Sequence, residues 1–162
     1  MSEAAGSSWL GLGVVDLCMR LTNFTFHSMI EIGISGRPRF LDLHNAYGWQ
    51  GITYLPEKRL IRMAWNLRAN GQVPEDLPRI VTLEFRGVSR FAATPHDPEM
   101  PYDEDICLEA VTFTPLEPAG ERREFKVFRR DSGQVLFLFR SGFSLNIWAE
   151  EAELIYDQAG VI

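Results

Sequence analysis

The 162-residue chain holds only two cysteines, and only two of its sixteen basic residues are lysine. Cys18 and Cys107 form no Cys-x-x-Cys pair, which excludes a dense disulfide framework and a cysteine-built zinc site. The plain expectation is a reduced, cytoplasmic protein with two idle thiols. Long apolar runs are missing too. Trp9 to Met19 is interrupted by Asp16 and closed by Arg20, and about 11 residues cannot span a membrane, which takes about 20. Met1 to Ser8 carries Glu3 and no Lys or Arg, so an export signal is not expected. Positive charge is in deficit. Twenty-two acids face sixteen bases, a net charge of −6, and a general grip on nucleic acid needs a net basic face. Phosphate-cradling glycine motifs are absent, Gly11-Leu12-Gly13 being a fragment of one, and so is the serine elbow G-x-S-x-G. His27, His44 and His96 lack His-x-His or His-x-x-x-His spacing. These gaps predict no cofactor, no metal and no catalytic residue.

What is present is an apolar content of 46 % with 12 % aromatics and 23 % charge, a globular composition. The length suits one domain over residues 1–162, with 1–8 expected as a flexible tail. Most of the chain alternates with period two, the signature of strands with one face on a core. Phe24 to Ile34 reads as one such strand, with Phe24, Phe26, Ile30, Ile32 and Ile34 sharing a face. Phe40 to Leu43 is a second, ended by a turn at Asn45-Ala46-Tyr47-Gly48. Leu60 to Leu67 places Ile61, Met63 and Trp65 inward and Arg62 and Asn66 outward. Ile80 to Phe91 bends at Gly87, with Val81, Leu83 and Phe85 on one side and Thr82, Glu84 and Arg86 on the other. Cys107 to Thr114 resumes strand character. Phe125 to Phe128 and Val135 to Phe139 flank Asp131-Ser132-Gly133 as a hairpin. Val135 to Phe139 is apolar on both faces and belongs in the middle of the fold. Phe143, Leu145 and Ile147 alternate next, and a last short strand lies near Leu154 to Tyr156. The expected fold is mainly β or α+β, an antiparallel sandwich or partly closed barrel of about nine or ten strands. One N-terminal helix over Leu10 to Leu21, capped by Ser8, is the α+β variant, though Gly11 and Gly13 each cost it about 1 kcal/mol.

Pro95 to Asp105 is the most unusual stretch. It carries five carboxylates and one imidazole in eleven residues, and no Lys or Arg occurs between Phe91 and Glu121. Acidic loops can hold calcium. Counted from Asp97, however, the EF-hand pattern needs Gly at the sixth position and Glu at the twelfth, where this chain has Tyr102 and Leu108. Two readings remain: a solvated loop, or a surface for a basic partner built from Asp97, Glu99, Tyr102, Asp103, Glu104 and Asp105. Arg122, Arg123, Lys126, Arg129 and Arg130 make a separate basic region, and such division of charge speeds encounter with a partner of complementary field. Trp49, Tyr47, Tyr54 and Tyr102 are expected in loops, where aromatics anchor interfaces.

Phe24-Thr25-Phe26-His27-Ser28 with the alternation that follows, and Val81 to Phe91 with its strand, glycine and second strand, resemble small β-rich immunity proteins of bacterial polymorphic toxin systems. That family often has an acid after the histidine, where this chain has Ser28. The resemblance implies a cytoplasmic protein that blocks a cognate toxin without catalysing anything, its acidic face suiting a basic nuclease. The alternative expectation is a small-ligand binder, a barrel around an apolar cavity lined by Phe, Trp and Met.

Overall fold

In the computed structural model, residues 19–68, 77–112 and 134–157 are described. They form twelve strands and no α-helix. In chain order these are β1 (Arg20–Thr22), β2 (Phe24–Phe26), β3 (Glu31–Ile34), β4 (Phe40–Asp42), β5 (Tyr47–Leu55), β6 (Leu60–Leu67), β7 (Ile80–Arg86), β8 (Arg90–Thr94), β9 (Leu108–Thr112), β10 (Gln134–Phe139), β11 (Ser144–Trp148) and β12 (Glu151–Tyr156). Two short 3-10 turns, Pro56–Lys58 and Tyr102–Ile106, complete the set. A five-stranded sheet runs β1-β12-β7-β6-β5, a four-stranded sheet β8-β11-β10-β9, and a three-stranded sheet β2-β3-β4. All neighbours pair antiparallel except β1 and β12, which are parallel.

The architecture is sandwich-like because two sheets each turn an apolar face to the other. Ile61, Met63 and Trp65 of β6 and Val81, Leu83 and Phe85 of β7 are all fully buried, as the alternation requires. Facing them are Val135, Phe137 and Phe139 of β10 with Leu145 and Ile147 of β11. The Phe137 ring lies 6.0 Å from both Trp65 and Phe85, edge-on to the latter. Phe24, Ile32, Ile34, Leu41 and Leu43 of the third sheet and its flank join the same core cluster. Every residue of β10 is buried, and both its edges are paired, by β9 and β11. Leu136 and Leu138 form a smaller cluster with Ala110 on its other face.

Several expectations need correction. Among the described residues the strands number twelve, not nine or ten, and the sheets do not close into a barrel. The helix expected over Leu10 to Leu21 lies mostly outside the described residues, and its last two residues, Arg20 and Leu21, are in β1. Phe24 to Ile34 is a hairpin rather than one strand: Phe24 faces Ile34 and Phe26 faces Ile32. Directly opposed residues share a face, so the parity of the apolar positions survives the turn and hides it. The Ser28 hydroxyl makes that turn, accepting from the amides of Ile30 and Glu31 and donating to the Glu31 carboxylate at 3.1 Å. Tyr47, Trp49 and Tyr54 lie on β5, not in loops, because a bulge between Trp49 and Gly51 breaks the period of two. Tyr47 is fully buried, with its hydroxyl donating to the Pro78 carbonyl at 2.8 Å, and Trp49 packs on Phe139 at 4.7 Å. Burial pushes the Tyr47 phenol well above its ordinary range. The strand expected at Phe125 to Phe128 and the basic region from Arg122 to Arg130 lie outside the described residues.

Candidate functional site

The segment between β8 and β9 has a topological reason to exist. Those strands are the two edges of the four-stranded sheet. The chain from Pro95 to Cys107 must therefore cross the end of that sheet, passing over the β10–β11 turn. It forms a strap, and the turn holds it in place. Asp97 donates its amide to the Ser141 carbonyl at 2.9 Å, and Arg140 donates its amide to the Cys107 carbonyl at 3.1 Å. The Arg140 guanidinium pairs with Glu104 at 3.4 Å. The Ser141 hydroxyl, fully buried, hydrogen-bonds Asp105.

Within the strap His96 is the central group. Its Nδ1 lies 2.8 Å from Asp105 Oδ1 and its Nε2 lies 2.9 Å from the Met100 carbonyl. The Tyr102 ring stacks on it at 4.3 Å with planes 3° apart. Hydrogen bonding to Asp105, supported by the charges of Asp105 and Asp97 and by the Met100 carbonyl, raises the histidine pKa above its ordinary 6.5. Partial burial pushes Asp105 up, but its bonds to Ser141 and His96 outweigh that and hold it below the ordinary carboxylate value.

The six residues singled out in the sequence divide into two groups. Asp97, Glu99, Tyr102 and Asp103 are exposed. Glu104 and Asp105 are half-buried and spend their charge on Arg140 and His96. No Lys or Arg near in sequence neutralises the loop; the guanidinium that reaches it, Arg140, comes from far along the chain, and His96 adds a second partner from within. Met100 and Ile106 add exposed apolar surface, and Tyr102 as a residue is 77 % exposed despite its stack. The strap thus exposes Met100, Tyr102 and Ile106 together with the carboxylates of Asp97, Glu99 and Asp103.

Other chemistry-bearing groups are quieter. Ser141, Asp105 and His96 are the residue types of a catalytic triad in the wrong order. The acid stands between the serine and the histidine, so the imidazole cannot take the hydroxyl proton. His44 Nδ1 contacts both the Leu108 carbonyl and, at 3.7 Å, Cys107 Sγ. A carbonyl only accepts, so Nδ1 carries the proton and is not free to activate the buried thiol. His27 is exposed and stacks on Phe40 at 3.7 Å. A polar cleft of about 240 Å³ is lined by Arg20, Arg86, Gly87, Glu150 and Glu151, with Arg20 paired to Glu151 and Arg86 to Glu84 and Glu153. Among the described residues, no three of His, Cys, Asp and Glu converge as metal ligands do, and no helix is long and apolar enough to cross a membrane. No known family, curated protein or solved structure matches the chain.

Proposed function

We propose that the strap from Pro95 to Cys107 is a docking surface for a basic protein, and that the chain acts by binding rather than by catalysis. The observation that carries this reading is Tyr102, a residue 77 % exposed whose ring is nonetheless held flat against His96, with Asp97, Glu99 and Asp103 exposed on the same strap. An aromatic anchor already immobilised loses little conformational freedom on binding. Outward carboxylates around it steer a basic partner and disfavour acidic ones. Met100 and Ile106 supply apolar contact beside it. The resemblance to immunity proteins sharpens the partner to a basic toxin, met in the cytoplasm and neutralised there by blockade.

The test is capture from lysate of the source cells on the immobilised full chain, run side by side with Tyr102→Ala and Asp103→Asn. Both side chains are exposed, so neither change disturbs the core. The expected result is a basic protein retained by the unsubstituted chain and released by salt. Its affinity should fall about 30-fold or more with Tyr102→Ala, as for a hot-spot residue. Asp103→Asn should slow association at low salt. A partner held equally by all three proteins, or one that is acidic, overturns the reading.

A further inference from the structure

We propose that His96 is a protonation latch: as an imidazolium it ties both ends of the strap together, and loss of its proton releases the Met100–Tyr102 segment that carries the exposed ring. Both ring nitrogens face acceptors. Nδ1 lies 2.8 Å from a carboxylate oxygen and Nε2 lies 2.9 Å from a backbone carbonyl. Neither partner can donate, so both contacts need an N–H, and only the doubly protonated ring has two. Asp105 cannot carry the missing proton, because its bonds to Ser141 and His96 hold it ionised.

The groups facing the ring favour the charged form on balance. From the strap come Asp105, Asp97, the Met100 carbonyl and the face of Tyr102; behind Asp105 stands the Ser141 hydroxyl of the β10–β11 turn, whose Arg140 is paired with Glu104. When the proton leaves, the remaining N–H stays with the carboxylate, the stronger acceptor. Nε2 then turns a lone pair toward the Met100 carbonyl, and the stack loses its cation over the Tyr102 face. The other ties along this stretch are short-range: Met100 donates its amide to the Asp97 carbonyl at 2.9 Å, Glu99 its amide to Asp97 Oδ1 at 3.0 Å, and the Pro101 carbonyl accepts from the Glu104 amide at 3.1 Å. The sign follows from a folded-state value raised above 6.5. The clasp is complete below that pH and is lost as pH climbs through the folded-state midpoint. Its consequence for a partner rests on the docking reading above, since it is the shape around Tyr102 that changes.

The free, full-length protein tests this without any partner, so failure of the docking reading leaves these readouts unmoved. Imidazole resonances of His96 are followed by NMR against pH, together with amide-exchange protection at Asp97, Met100, Glu104 and Cys107. The latch requires a His96 midpoint above 6.5 and a loss of strap protection at that same midpoint, about tenfold for one charge-assisted bond. Asp105→Asn keeps an acceptor but removes the charge, and it should move both midpoints down together. His96→Ala should leave the strap weakly protected at every pH while β6, β7 and β10 keep their protection. A His96 midpoint at or below 6.5, or strap protection that ignores the titration, overturns the latch. The chain without substitutions suffices to decide between these outcomes.

Discussion

Glu84 is 4 % exposed although it lies on the outward face of β7. Register explains both facts. On its two flanks it stands opposite Arg62 of β6 and Glu153 of β12. Two carboxylates directly opposed in a sheet repel. Arg86, two residues along the same strand, bridges them at 2.6 Å to Glu84 and 2.7 Å to Glu153, while Arg62 reaches Glu84 at 2.5 Å. The two guanidinium groups cover Glu84. Burial alone would raise its pKa, and the bonds to Arg62 and Arg86 outweigh that and lower it below 4.5. A lowered folded-state value contributes stability above pH 4.5 that is lost as pH falls through the folded-state midpoint. Glu84→Gln should therefore lower stability by about 1–3 kcal/mol at neutral pH. Urea midpoints of the two proteins should converge in acid below that midpoint, and an equal gap at both pH values would mean that the Glu84 charge contributes nothing. Alternation alone places Glu84 on the outer face with Thr82 and Arg86, and there the structure agrees. Its burial was not legible, because Arg62 comes from a neighbouring strand, and Arg86 is drawn across it by a bridge to Glu153 on another, in registers that no local pattern states. Glu104 and Asp105 turned inward for the same reason: Arg140 and Ser141 lie far along the chain.

At the scale of elements, the corner where the chain changes sheets is decided by one glycine. β7 belongs to the five-stranded sheet and β8 to the four-stranded one, and β11 and β12 make the reverse crossing beside them. The two crossings are stitched by Ser89 donating its amide to the Trp148 carbonyl and Glu150 to the Arg86 carbonyl. Arg59, at the tip of the β5–β6 hairpin, reaches the Gly87 and Val88 carbonyls and the Glu150 carboxylate. Gly87 has φ +66°, and a Cβ there would fall 2.8 Å from the Glu150 Cβ and closer still to its carboxylate. Gly87→Ala meets both the left-handed penalty and the collision, and should cost about 1–3 kcal/mol. Denaturant titration checks this; a neutral result would mean that the corner relaxes freely. The bend at Gly87 was legible from a lone glycine in an alternating run. That it moves the chain to another sheet was not, since alternation continues unchanged on either side. The same blindness merged β2 and β3, and at β5 a bulge removed the alternation that would have revealed a nine-residue strand.

For the whole molecule, the strand readable as apolar on both faces is the one around which the sandwich is built. β10 sits inside its sheet, and Phe137 touches the opposite sheet through Trp65 and Phe85. What local patterns could not convey is closure. Arg20 lies 131 residues from Glu151, yet the two are joined at 2.7 Å by the parallel pairing of β1 with β12. Such long-range pairings make cohesion depend on the shared core rather than on any hairpin alone. The acidic strap depends on it too: its supports, Arg140 and Ser141, follow directly from the end of β10. Phe137→Ala empties the space between Trp65 and Phe85 and should cost about 3–5 kcal/mol, against a typical domain stability of about 5–15 kcal/mol. If the two sheets share one core, far-ultraviolet dichroism and strap exchange should then melt together at a lowered temperature. Separate transitions, with the five-stranded sheet outlasting the strap, would mean that the sheets hold together independently and that Phe137 is not their common support.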